Sequence, residues 1–300
     1  MRVLRADWVC PVSGPPIADG YVVVDGDRIV RVETTAPEGP VEDFPGCALI
    51  PGFVNTHTHL ELTVMRGFLE NLPFASWIRQ LTWTKYECLD RDDLAVSARL
   101  GALECLEAGV TCVGEVMDIG TGWDAMRETG LRGVAYQEVF GPGEESAEGS
   151  AADLRRKIKA LVPEQSDLQR LGVSPHAPYT VSQRLYGLVR EIAEVEELAM
   201  AVHVAESADE TLFVRDAAGP EIPQPSVPPG RLRWRLSGVR GASVWIDIWG
   251  RSSRASWRIS WSSIWTLPRR GQSSIRSMRS FFRRTGRTCA PCSSVVSKCG

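Results

Sequence analysis

The alternation of apolar and polar positions changes character about fifty residues into the chain. Before that point it has the two-residue period of strands. "YVVVDGDRIVRVE", Tyr21 to Glu33, holds two β-rich runs joined by Asp25-Gly26-Asp27, a hairpin signal. From "CALIPGFVNTH" onward, apolar runs of strand length alternate with segments of helical period. Asp92 or Asp93 is expected to cap a helix through "LAVSARLGALECLEAG" that stops at Gly109, with "VTCVGEVM" following as a buried strand. "WDAMRETG" reads as a short helix stopped by Gly130, "LRGVAYQEVF" as a strand and "SAADLRRKIKALV" as a helix. "RLGVSPHAPYTVS" is a strand whose end is marked by two prolines, Ser182 caps "QRLYGLVREIAEVEEL", and "AMAVHVAES" supplies the fifth strand of the series.

Strands in regular alternation with helices imply parallel neighbours, because parallel strands need crossover connections. That leaves a (β/α) barrel or a doubly wound sheet. The chain has four histidines, and His57 with His59, His176, and His203 each fall at the C-terminal end of a different expected strand. In a (β/α)8 barrel those ends form one rim that carries the active site, whereas a doubly wound sheet gathers its ligands at a single switch point. The expected fold class is therefore α/β, a (β/α)8 TIM barrel of which the first five βα units are recognisable. Residues 1–48 form a small N-terminal β unit, part of a composite β-sandwich, and residues 49–222 the partial barrel.

Charge divides the chain again. Residues 1–222 carry 19 Lys+Arg against 36 Asp+Glu, whereas residues 223–300 carry 15 against one, Asp247. The same final stretch holds six of the ten tryptophans and no histidine. A shifted reading frame of a GC-rich gene accounts for an abrupt gain of Arg, Ser and Trp with loss of acids. A basic tail that binds nucleic acid and a diverged half-barrel are the other two readings. Five βα units without the rest would leave two sheet edges and an exposed apolar face, which predicts poor solubility. No run is long and apolar enough for a membrane span, and "MRVLRADWVCPVSG" lacks an apolar signal core, so a cytoplasmic location and free thiols at the eight cysteines are expected.

His57 and His59 are one residue apart at the end of an apolar run. On a strand such a pair points to one face, so the two imidazoles can converge on a metal ion. "PGFVNTHTHLELTVMRG", "GVSPHAPYTVS" and "HVAESADE", in that order, resemble the amidohydrolase superfamily and its mononuclear deaminase and chlorohydrolase branch. "NLPFASWIRQL" and "LRGVAYQEVFGP" are similar in style to deaminases of adenosine-like nucleosides, including the aminodeoxyfutalosine deaminases. The resemblance covers about residues 1–222.

It implies that His57, His59 and His203 hold one divalent metal ion, zinc or else iron, which activates water for attack on an amine-bearing carbon. Glu206 would shuttle the proton, His176 would contact the substrate or the attacking water, and Glu61 would touch the substrate. The fourth strand ends in Ser174-Pro175-His176, without the lysine by which binuclear relatives bridge two metals, so a single ion is expected. The family also expects a histidine after the sixth strand and a metal-binding aspartate after the eighth. Residues 223–300 contain no histidine, and the surroundings of Asp247 do not match. The implied function is hydrolytic deamination of an aminated heterocycle, with a small-molecule substrate, no membrane partner and a homo-oligomer compatible with it. Hydrolytic dechlorination or deamination of an s-triazine is the alternative, and a non-catalytic remnant with a nucleic-acid-binding tail is the alternative of another class.

Overall fold

The computed structural model describes residues 1–216, together with the backbone of residues 232–239 and 242–248. Residues 1–52 make one compact unit and the described residues from Phe53 onward a second. In the first unit, β1 (Arg2–Val9), β2 (Ile17–Asp25), β3 (Arg28–Glu33) and β4 (Val41–Leu49) form one sheet in the order β3-β2-β1-β4. The β2–β3 hairpin turns where expected, with Asp25 opposite Arg28 and Gly26 at a φ of 56°. Gly26 takes this left-handed conformation without the steric cost of a Cβ. Ala6, Val9 and Val22 form the core on one face, with Ile17, Val24, Phe44 and Leu49 packed against them.

The second unit is a parallel sheet of five strands in sequential order: β5 (Phe53–Thr58), β6 (Val110–Met117), β7 (Arg132–Val139), β8 (Gln169–Pro175) and β9 (Ala199–Met200). Five parallel strands in sequence order, each joined to the next through helix, are the half-barrel that the alternation predicted. The connections carry α1 (Phe74–Trp83), α2 (Arg91–Glu107), α3 (Thr121–Thr129), α4 (Ala147–Leu161) and α5 (Gln183–Val195), and α6 (Ala208–Asp216) follows β9. Two apolar clusters bind helices to the sheet. Ala98, Ala102, Trp123 and Met126 of α2 and α3 meet Val113, Met117 and Leu171, while Leu154, Ile158, Leu185, Val189 and Ile192 of α4 and α5 meet Val139 and Val173.

Two boundaries differ from the sequence reading. The cap of α2 is Asp90: its side chain accepts from the Asp93 N–H, and the Asp93 side chain accepts from the Asp90 N–H. This reciprocal pair satisfies two amides that an isolated cap at Asp92 or Asp93 would leave open. The fifth strand is only two residues long, so His203 lies in the loop beyond it rather than on a strand. Among the described residues β5 and β9 are the sheet edges, and Phe53 and Val54 on β5 are 55% and 64% exposed.

Gly114 permits the close approach of β5 and β6, since a Cβ there would lie 2.3 Å from the Thr56 carbonyl oxygen. In the final stretch, β10 (Leu232–Val239) and β11 (Ala242–Ile248) pair as an antiparallel hairpin. A hairpin is not a βα unit, so these two segments do not continue the parallel series. The rest of residues 223–300, on which the shifted-frame and basic-tail readings fall, lies outside the described residues.

Candidate functional site

The three metal-candidate histidines come from the two ends of the described sheet. His57 is on β5 and His59 just beyond it, and their rings sit edge to face with centroids 4.9 Å apart. His203 reaches the same place from the loop after β9, its ring centroid 5.0 Å from that of His57 and 5.3 Å from that of His59. One nitrogen from each of the three lies within 4.8 Å of the others. Curvature of the sheet toward a barrel lets side chains from the C-terminal ends of its two edge strands meet across the mouth.

The hydrogen bonds fix the tautomers. His59 Nδ1 lies 3.0 Å from the Val116 carbonyl oxygen, and His203 Nδ1 lies 3.2 Å from that of His176. A carbonyl only accepts, so each Nδ1 carries the proton and each Nε2 presents a bare lone pair. Those two Nε2 atoms are 3.1 Å apart. Two lone pairs at that distance repel unless a cation lies between them. Two nitrogens bound at about 2.0–2.1 Å in tetrahedral geometry sit roughly 3.3 Å apart, so the donor set fits zinc. Burial, then the neighbouring His203 and His57, pushes His59 down to about 3, and burial also lowers His203, which keeps both imidazoles in the neutral form that metals take.

Below this cluster Glu115 is fully buried and straps the strand to the histidine segment. Its carboxylate accepts from Thr58 Oγ1 at 2.7 Å and from the Leu60 N–H at 3.0 Å. Burial holds its carboxyl well above the usual range.

His176 follows β8 directly, with its ring centroid 4.8 Å from that of His203. It is buried beneath Phe140 and Tyr179, and burial followed by His203 pushes it down to about 3. Glu206 is exposed, not enclosed by the rim, and Tyr179 Oη donates to its Oε2 at 2.7 Å. Burial and this bond raise the Tyr179 phenol, so it stays a donor. The loop carrying His203 and Glu206 is held by Glu210, which accepts from the Ala205 and Glu206 N–H groups at 3.0 and 2.7 Å. Ala205 takes a φ of 59°, a left-handed conformation that costs a Cβ-bearing residue and is found where a site fixes the backbone.

Glu61 has other partners than the substrate contact expected of it. It is 2% exposed, and its Oε1 accepts from the Gly120 and Thr121 N–H groups and the Thr121 hydroxyl, while Oε2 accepts from the N–H groups of Asp118 and Ile119. It clamps the turn between β6 and α3. Beside it Lys85, on a π-helical turn at Thr84–Cys88, donates to Asp118 Oδ2 at 3.1 Å and lies 3.7 Å from Glu61. Tyr86 donates to the same Asp118 oxygen.

Lys85, Asp118, Glu115, Glu138 and Tyr179 are site residues that the sequence reading did not single out. None belongs to a spacing motif. For Asp118, directly after β6, and Glu138, next to the last residue of β7, there was a signal: a carboxylate at the C-terminal end of a barrel strand.

The family model described as "Amidohydrolase family" matches residues 48–227. The 5'-deoxyadenosine deaminase of Methanothermobacter thermautotrophicus is 32% identical over 221 residues, 69% of this chain and 51% of that protein. The structure of Helicobacter pylori aminofutalosine deaminase in complex with methylthio-coformycin aligns with a TM-score of 0.65 at 21% identity, over 73% of this chain and 54% of that one. The zinc complex of atrazine chlorohydrolase from Arthrobacter aurescens aligns with a TM-score of 0.63 at 20% identity, over 71% of this chain and 55% of that one. The chain thus spans about half the length of the proteins it matches. With its parallel half-barrel and three convergent histidines, this chain belongs to the amidohydrolase family.

Proposed function

We propose that the chain derives from a hydrolytic deaminase of adenosine-like nucleosides, and that His57, His59 and His203 are its ligands for one divalent ion, with zinc the best fit. The observation that carries this is the 3.1 Å approach of two bare Nε2 atoms, from His59 and His203, each with its Nδ1 bound to a carbonyl. The names of the relatives support the substrate class, being deaminases of 5'-deoxyadenosine and of 5-methylthioadenosine or S-adenosylhomocysteine. When bound, such an ion lowers the pKa of water to about 7 and so supplies a nucleophile at neutral pH.

The remaining roles belong to side chains. Glu206, oriented by Tyr179, takes a proton and delivers it to the ring nitrogen or leaving amine. His176, neutral and fixed at Nδ1 by Thr180, contacts the substrate. Glu61 is assigned to positioning: it fixes the rim turn and leaves the substrate to others. The four-stranded sheet of residues 1–48 is assigned as one layer of a composite sandwich, residues 49–222 as the first part of the barrel, and residues 223–300 as a shifted frame that does not supply the sixth-strand histidine or eighth-strand aspartate.

Two measurements test this. Zinc content after dialysis and ammonia release from 5'-deoxyadenosine are measured on the full chain, and the same is done for a version in which the reading frame after codon 222 is restored. The expected result is zinc binding by both and ammonia release chiefly from the restored version. Absence of zinc and of ammonia in both would sink the proposal.

A further inference from the structure

Glu138 is the penultimate residue of β7 and is 7% exposed, and its Oε1 is buried without a hydrogen-bond partner. His176 Nε2 lies 3.8 Å from it, beyond hydrogen-bond range. His176 Nδ1 lies 2.7 Å from Thr180 Oγ1, and that hydroxyl lies 3.2 Å from the Ala177 carbonyl oxygen. The carbonyl takes the single hydroxyl proton, so Thr180 accepts from Nδ1–H, and the Nε2 of the neutral ring is bare. Glu138 Oε1 and His176 Nε2 therefore face one gap with no hydrogen bond between them, and burial pushes the Glu138 carboxyl up to about 8. Leaving a buried carboxyl oxygen unmet costs about 1–3 kcal/mol, and a fold retains such a group where a ligand meets it.

A second cation is a poor match: Glu138, His176 and His203 stand close enough to hold one, but both nitrogens of His203 are engaged elsewhere, which leaves two ligands. Hydroxyls both donate and accept, so a vicinal pair can meet the carboxyl and the imidazole together, and a carboxylate is a common partner of ribose hydroxyls.

We propose that Glu138 and His176 form the polar pair that binds the vicinal hydroxyls of the substrate's sugar. This deepens the nucleoside-deaminase reading and rests on it. It makes Glu138 the residue that separates nucleosides from sugar-free heterocycles such as triazines.

Calorimetric binding to the zinc-loaded full chain tests it, with purine riboside and its 2',3'-dideoxy counterpart as probes. Both lack the amine, so the comparison isolates the sugar. The wild-type chain is expected to bind the riboside about 10- to 100-fold more tightly than the dideoxy compound, the scale of two hydrogen bonds. Glu138→Leu is expected to abolish that preference by weakening the riboside alone, with a melting temperature unchanged or raised, since a buried unmet carboxylate has been removed. Glu138→Gln, of the same shape, is the second variant if Glu138→Leu does not fold, and most of the preference should be lost in it too.

A preference that survives in both variants overturns the assignment, as does equal weakening of both probes. Two zinc ions per wild-type chain, falling to one in Glu138→Gln, would assign the pair to a cation instead. No binding of either probe by the wild-type chain overturns the nucleoside reading and this subsite together, whereas binding without discrimination overturns the subsite alone.

Discussion

Replacing Glu61 by alanine should be among the most damaging single changes in the half-barrel. The carboxylate accepts from four backbone N–H groups, those of Asp118, Ile119, Gly120 and Thr121, at 2.8 to 3.2 Å, and from the Thr121 hydroxyl at 3.1 Å. With the side chain gone, the four amides have no other acceptor in reach unless water enters. At the low end of the cost of an unmet buried donor, about 1 kcal/mol each, the loss is roughly 4 kcal/mol. That compares with a total stability of about 5–15 kcal/mol for a typical domain. Lys85 keeps its bond to Asp118, so its charge is not orphaned as well.

Glu61→Gln retains one oxygen and turns an NH2 group toward some of the same donors, which should cost about 2 kcal/mol. Urea unfolding of the three proteins is the assay. The midpoint should fall in the order wild type, Glu61→Gln, Glu61→Ala at unchanged slope, and amide exchange should quicken at residues 118–121. A Glu61→Ala protein within 1 kcal/mol of wild type but impaired in nucleoside binding would refute the clamp and restore Glu61 as a substrate contact.

Other outcomes follow from the same geometry. His59→Ala or His203→Ala should weaken zinc affinity by more than the ~10- to 100-fold that loss of an outer partner costs, while His176→Gln, which keeps the carbonyl that orients His203, should stay within that range; competition with a chromophoric chelator measures all three. Stripping the ion should lower stability, by about 2.7 kcal/mol if free zinc stood at 100 times its dissociation constant, and an unchanged melting temperature after chelation would contradict the metal site. In the frame-restored protein, Tyr179→Phe should reduce kcat about tenfold with zinc content intact, because Glu206 loses the donor that orients it; equal kcat would remove Tyr179 from the site. Gly114→Ala should destabilise by about 1–3 kcal/mol, read by thermal melting, because its Cβ would lie 2.3 Å from the Thr56 carbonyl oxygen.

How much of this was legible in the sequence depends on the distance over which each signal acts. The Asp25-Gly26-Asp27 hairpin, the Ser182 cap and the Gly130 stop are local: a few backbone groups and their own side chains decide them, and all three are present, with the Ser182 side chain accepting from Leu185 N–H and Gly130 at a φ of 74°. The cap of α2 was misplaced by two or three residues because Asp90, Asp92 and Asp93 are all competent, and only the reciprocal bond between Asp90 and Asp93 selects one. The short β9 was misread because "AMAVHVAES" is apolar enough for a longer strand, but only Ala199 and Met200 find partners on β8.

The order of strands and helices, and the placement of every histidine at or beyond a strand's C-terminal end, were fixed by periodicity and short motifs. These needed nothing beyond the chain's own covalent order. Tertiary structure alone decided that Glu61 holds a turn some sixty residues away, that Lys85 is ion-paired with Asp118, and that Glu138 faces His176 with an unmet oxygen. In a string of letters a carboxylate is only a charge. Which donors surround it, and whether water can reach it, is set when strands distant in sequence curve into one wall, and burial there makes each hydrogen bond, met or unmet, worth kilocalories.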